Sequence, residues 1–177
     1  IFGYGSLMWN HDVRSREICM ARLSGFHRRL CLRSTVYRGS PKNPRVVLVL
    51  DRGGICDVRA FHISGEDLDP DLFLLWDREM FTDTYIPQWV QVDTESGEIE
   101  ALAFTANMEH EHYLPLMPLE ETAKLVFSGK GYRGTCMDYV GNTVEILQQL
   151  GLRDQDLEHI LAFAEIQAHP ATGLQTS

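Results

Sequence analysis

The chain has 177 residues, 44% of them hydrophobic and 23% charged, an ordinary globular balance at a length that suits one packed domain. A formal net charge of -9 and a pI near 5.2 exclude a general nucleic-acid binder, which needs a basic face. No apolar run approaches the roughly 18 residues of a membrane span, so no membrane partner is expected.

The four cysteines, Cys19, Cys31, Cys56 and Cys136, are widely spaced and include no Cys-x-x-Cys. That spacing predicts free thiols in a reducing, cytoplasmic setting rather than a disulfide scaffold or zinc site. The chain begins at Ile1 rather than Met, inside a strand pattern, which predicts further residues upstream.

Ile1–Tyr4 reads as a strand that Gly3-Tyr4-Gly5-Ser6 interrupts before Leu7-Met8-Trp9. Glycine tolerates positive φ and lets another group approach the backbone, so the stretch predicts a tight loop with consecutive N–H groups and a hydroxyl. Such a concave donor set suits a carboxylate, and a β-bulge or barrel-corner bend without a ligand fits the same residues. Strands are expected over Ala21–Arg33, Val46–Asp51 and Asp57–Ser64, with Arg52-Gly53-Gly54 as a turn. Val46–Leu50 is continuously apolar, the pattern of a strand buried on both faces.

A helix follows Ser64-Gly65-Glu66-Asp67 and runs to about Trp76, with Leu68, Leu72, Leu75 and Trp76 as its apolar face. Asp77, Arg78 and Glu79 then stand between Trp76 and Met80-Phe81. A carboxylate buried there would gain the raised pKa of a general base, whereas a plain helix end would leave these charges in water. Tyr85–Asp93 and Ile99–Asn107 form a hairpin around Thr94-Glu95-Ser96-Gly97. Glu109-His110-Glu111-His112 offers two histidines to a metal, but with no third ligand signposted it reads as a solvated loop.

Helices are expected over Pro118–Ser128, over Asp138–Leu150 with Gly151 as the stop, and from Asp154 onward. Gly129–Gly134 lacks the Lys-Ser/Thr ending of a P-loop and reads as a connecting loop. His169-Pro170 opens a polar tail, so residues 1–168 form the single expected domain and 169–177 the tail. Strands first and helices after point to an α+β fold.

Several stretches also follow one another in the order of a known family: Phe2-Gly3-Tyr4-Gly5-Ser6-Leu7-Met8-Trp9, Arg38-Gly39, and Val46-Val47 with Leu50. Leu74-Leu75-Trp76-Asp77-Arg78-Glu79-Met80, Tyr85-Ile86-Pro87, Tyr113-Leu114, Pro118-Leu119-Glu120, Gly131, Gly134 and Tyr139 complete the set. The chain resembles the ChaC-type glutathione-specific γ-glutamylcyclotransferases, and its Leu-Trp-x-Arg-Glu-Met form resembles their bacterial branch. It departs from the family at Asn43-Pro44-Arg45, which lacks a glycine, and at Tyr139-Val140, where the family has Tyr-Leu.

The resemblance implies a small mixed β-barrel with packed helices. It implies that glutathione is cleaved to 5-oxoproline and Cys-Gly without metal or cofactor, with Glu79 as base and then acid. The substrate would be held by Gly3, Tyr4, Gly5, Ser6, Leu7 and Met8, with Arg38, Tyr85 and Tyr139. Competing expectations are a cyclotransferase for other γ-glutamyl compounds, a catalytically silent binding domain, and a metal hydrolase using His110 and His112.

Overall fold

A computed structural model describes residues 1–9, 14–35, 44–64, 68–128, 130–131 and 134–168. The chain divides into two compact units, Ile1–Leu32 with Val47–Leu114, and Arg33–Val46 with the chain from Pro115 on.

The first unit holds most of two 18-residue strands, β2 (Glu17–Ser34) and β3 (Arg45–His62), and the hairpin β4 (Tyr85–Thr94) and β5 (Gly97–Ala106). They lie in the order β3-β2-β4-β5, and β5 pairs back to β3 in parallel at Leu50–Thr105. Four strands thus close a barrel. A two-residue strand β1 (Phe2–Gly3) runs antiparallel along β3, with Phe2 opposite Ala60 and Gly3 opposite Arg59. The architecture is α+β, as the order of strands and helices along the sequence implied.

The apolar run holds its promise: Val46, Leu48, Val49 and Leu50 are all buried. The expected turn at Arg52-Gly53-Gly54 does not exist, however, and the two strands predicted on either side of it are one strand, β3. Gly53 and Gly54 have φ of 97° and 70°, and Gly25 on β2 has 85°. Left-handed glycines inside paired strands bend and twist them without ending the pairing, which lets an 18-residue strand wrap a narrow barrel. His27 Nδ1 lies 2.9 Å from the Gly53 carbonyl and ties the bend across the two strands. The β4–β5 hairpin turns at Glu95-Ser96, as expected, with Gly97 at φ 117° and the Thr94 hydroxyl donating to the Gly97 carbonyl at 2.6 Å.

Helix α1 spans Leu68–Met80, a full turn beyond the expected end, so Asp77, Arg78 and Glu79 are helical. Its inward face also differs from the expectation. Leu72 and Leu75 pack inward, but Trp76 is 49% exposed and Leu68 faces largely outward. The buried position one turn before Leu75 is Asp71. Its carboxylate accepts the Arg14 backbone N–H at 2.6 Å and the Arg14 guanidinium at 3.0 and 3.2 Å, so the charge is paired rather than excluded.

In the second unit, helices α2 (Leu119–Phe127), α3 (Cys136–Gln149) and α4 (Gln155–Ala168) pack on one another. Ala123 and Val126, Val140, Val144 and Leu147, and Leu157, Ile160 and Ala164 are their buried residues. Thr135 caps α3 reciprocally with Asp138, the two bonds measuring 3.0 and 3.4 Å. Gly151, at φ 70°, ends α3 where the sequence placed the stop. The glycine-rich connection is not plain loop: Lys130–Gly131 (β6) and Gly134–Thr135 (β7) pair antiparallel. The tail at 169–177 lies outside the described residues.

Candidate active site

The opening stretch folds as its residue types suggest, though for a different reason. After β1 the chain enters a short 3-10 turn, Ser6–Met8, in which Met8 N–H donates to the Gly5 carbonyl at 2.9 Å and Trp9 N–H to Ser6 at 3.2 Å. A 3-10 turn leaves its first N–H groups, here those of Ser6 and Leu7, without acceptors inside the turn.

Neither Gly3 nor Gly5 has a positive φ; that of Gly5 is -128°. Gly3 is required by close approach, but of a protein group. A Cβ built there would stand 2.5 Å from Cε2 of Phe61. Tyr4 and Met8 are buried, so Ser6 and Leu7 are the half-exposed side chains among the site residues expected here.

Glu79 sits in the last turn of α1, four residues after Leu75 and eight after Asp71. That spacing puts it on the buried face. Arg78 donates from Nε (2.9 Å) and Nη2 (2.7 Å) to the same Glu79 oxygen, Oε1. Both side chains are largely withdrawn from water, at 13% and 16% exposure. Asp77, by contrast, is exposed.

One apolar cluster brings the pieces together. Around buried Leu75, Leu102 and Phe104 pack Leu7 from the opening turn, Met80 next to Glu79, and Tyr85 at the start of β4, with Ile1 and Leu72. The opening turn and the carboxylate-bearing end of α1 therefore converge on one hydrophobic floor. Tyr139 lies buried in α3 of the second unit, and Arg38 falls outside the described residues.

A polar network stands on the other side of Tyr85, and the sequence reading did not single it out. Asp51, only 3% exposed, follows the buried apolar run of β3. Its carboxylate accepts from Arg29 Nη1 at 2.5 Å, from the Tyr113 hydroxyl at 3.0 and 3.1 Å, and from Arg52 N–H at 3.0 Å. Arg29 also donates to the Leu114 carbonyl and lies 5.3 Å from the centre of the Tyr113 ring. Tyr113 and Tyr85 pack on a second cluster formed by Cys31, Leu32, Val49 and Ala106. Burial pushes the Cys31 thiol up to about 12, Arg29 opposing the shift and Asp51 adding to it. Burial first, and then the bond to Asp51, raise the Tyr113 hydroxyl as well. The available signal was a carboxylate directly after the continuous apolar run Val46–Leu50, since a buried charge must find partners.

The histidine pair behaves as a loop. His110 and His112 stack edge-on at 4.9 Å, and His110 Nδ1 accepts the His112 backbone N–H at 3.0 Å. Among the described residues no three His, Cys, Asp or Glu side chains gather as a metal would need. A mostly apolar cleft of about 410 Å³, reaching from Phe61 and His62 to Leu72 and Trp89, contains none of the candidate residues.

The α+β architecture is the fold of solved γ-glutamylcyclotransferases. The structure superposes on the glutathione-specific γ-glutamylcyclotransferase of yeast with a TM-score of 0.83 over 97% of both chains, at 19% identity. The model of ChaC-like proteins matches residues 1–167, and the chain belongs to that family. It is 37% identical over 162 residues to the glutathione-specific γ-glutamylcyclotransferase of Escherichia coli, covering 91% of this chain and 70% of the relative. The mouse glutathione-specific γ-glutamylcyclotransferase 1 is 32% identical over 170 residues, 93% of this chain and 76% of the relative.

Proposed function

We infer that this chain is a glutathione-specific γ-glutamylcyclotransferase. The observation that carries the reading is the position of Glu79. It is a carboxylate on the buried face of α1, at the helix end whose Met80 packs on the same apolar cluster as Leu7 of the opening turn, in a chain 37% identical to an enzyme of that activity.

In the reaction the α-amine of the γ-glutamyl residue attacks its own γ-carbonyl carbon. A five-membered ring closes, the amide C–N bond breaks, and 5-oxoproline and Cys-Gly leave with no water consumed. Nucleophile and electrophile belong to one molecule, so the site chiefly selects the folded conformer. Glu79 takes the proton that the ammonium must lose and returns it to the departing amide nitrogen. The N–H groups of Ser6 and Leu7, with the Ser6 hydroxyl, oppose the charge that develops on the carbonyl oxygen. Tyr85 supports the floor beneath. A reducing, cytoplasmic setting belongs to the same reading, supported by four cysteines that form no disulfide.

The test is direct: incubate the protein with glutathione and follow 5-oxoproline by mass spectrometry, with γ-glutamyl-alanine and γ-glutamyl-lysine in parallel. Release from glutathione alone supports the reading. Release from the others alone replaces the substrate.

A further inference from the structure

We propose that the cleft beside the first half of α1 is a second binding site, made for an organic ammonium ion with an apolar body. Leu68 and Leu72 line it, while Glu79 stands in the last turn of the same helix. At 1.5 Å per residue, Leu68 and Glu79 are about 16 Å apart along the helix. The two sites are therefore distinct, and the proposal does not depend on the cyclotransferase reading.

The walls of the cleft are apolar, with Phe61 from the end of β3 and Ile99 from β5 joining the two α1 leucines. Its volume of about 410 Å³ falls within the roughly 300–1,000 Å³ of small-molecule sites. Its fixed charge has one sign. Glu17, at the start of β2, and Glu100, on β5, both line it, and among the described residues no lysine or arginine does. Nor is either carboxylate paired with a cation among the described residues. Ile1 lines the cleft too, but its amino group is engaged by the Phe61 carbonyl at 2.8 Å, and burial disfavours its charge.

Two carboxylates without cations, beside an apolar wall, define what fits. An anion is repelled, and a neutral hydrocarbon would desolvate the carboxylates without pairing them. An ammonium ion on a hydrocarbon body covers the wall and supplies the missing charge. Trp89, which is 65% exposed, adds to the lining an indole whose face attracts cations.

The probe is octylammonium, kept below its micellar concentration, with octanol and octyl sulfate as its neutral and anionic counterparts. Calorimetry should show octylammonium binding about 10- to 100-fold tighter than octanol, the span of a charged hydrogen bond, and octyl sulfate weakest. Each methylene removed from the ammonium should weaken binding by about fourfold, the worth of a buried CH₂. Glu17→Gln and Glu100→Gln change exposed side chains, and together they should bring the preference for octylammonium near unity with the melting profile unchanged.

Half-exposed Cys19 also lines the cleft and locates the binding. Alkylating it with N-ethylmaleimide should weaken octylammonium at least about tenfold, while Cys19→Ser should bind as the wild type does. Equal affinity for the three probes, a preference intact in the double variant, or no binding at all overturns the proposal. A dimer in sedimentation that Cys19 alkylation dissociates would give the cleft to a second copy and overturn it as well. None of these measurements involves turnover of glutathione, so their failure is distinct from failure of the proposed function.

Discussion

The Tyr113 hydroxyl lies 3.0 Å from one oxygen of Asp51 and 3.1 Å from the other, donating a single proton to a carboxylate that Arg29 also holds. The three residues come from β2, β3 and the segment after β5, so one buried charge pair fastens three distant parts of the first unit. Removing the carboxylate leaves the arginine uncompensated. Asp51→Ala should therefore lose about 3–5 kcal/mol in urea unfolding. Tyr113→Phe removes one hydrogen bond to a charged group and should lose about 1.5–3 kcal/mol. Two variants as stable as the wild type would show the network to be decoration.

Alkali should weaken the same region. Cys31 has its folded pKa raised from 9.0 to about 12, mainly by burial, and Tyr113 is raised above 10 by burial and its bond to Asp51. Folding thus favours both protonated forms. Their contribution is complete below the unfolded values and is lost as pH climbs, from 9 toward 12 for Cys31 and beyond 10 for Tyr113. The melting temperature should fall from pH 9 upward, and less steeply in Cys31→Ala. An identical slope in that variant would assign the loss to other groups. At neutral pH, iodoacetamide should label the half-exposed Cys19 before Cys31.

Gly3→Ala separates packing from ligand contact. The added methyl meets Phe61 Cε2 at 2.5 Å, inside a paired strand with little room to retreat. Overpacking of this kind costs about 1–3 kcal/mol. The variant should unfold at lower urea concentration, and Phe61→Leu in the same chain should restore part of the loss. Unchanged stability with lost glutathione binding would give Gly3 back to the substrate.

Glu79→Gln keeps shape and hydrogen bonding but cannot accept a proton. Its rate of 5-oxoproline release should fall by at least about 10²–10⁴, with glutathione binding within an order of magnitude of wild type. Asp77→Asn changes an exposed carboxylate two residues earlier and should keep most of the rate. The reverse outcome, with Asp77→Asn inactive, would move the base.

Exhaustive dialysis against EDTA should leave the rate intact, because ring closure needs only proton transfer and a folded substrate. Activity lost on dialysis and restored by zinc would return His110 and His112 to consideration.

What the sequence disclosed was what local spacing can carry. The Thr94–Gly97 turn, the stop at Gly151 and the buried run at Val46–Leu50 each depend on neighbours, and each stands where it was read. Gly53-Gly54 misled because a glycine pair fits a turn and a strand bend equally well, and only the β2 partner distinguishes them. Trp76 misled for a related reason: its hydrophobicity suggested an inward face, while the helix is oriented by Leu72, Leu75 and the Asp71–Arg14 pair. Glu79 belongs to the Asp71, Leu75, Glu79 spacing, which is written in the sequence but looks unremarkable until Asp71 is known to be buried. The Arg29–Asp51–Tyr113 network was out of reach. Its members come together only when the barrel closes.

That closure also orders events in time. The β4–β5 hairpin turns over two residues and can form within about 1–10 μs on local contacts alone. The seam at Leu50–Thr105 joins positions separated by α1 and the whole hairpin, so its pairing bears the closure entropy of that intervening chain and comes late. On the ribosome β3 emerges with its edge open and waits for Thr105. Pulse-labelled hydrogen exchange during refolding should find the hairpin amides protected first and the seam last.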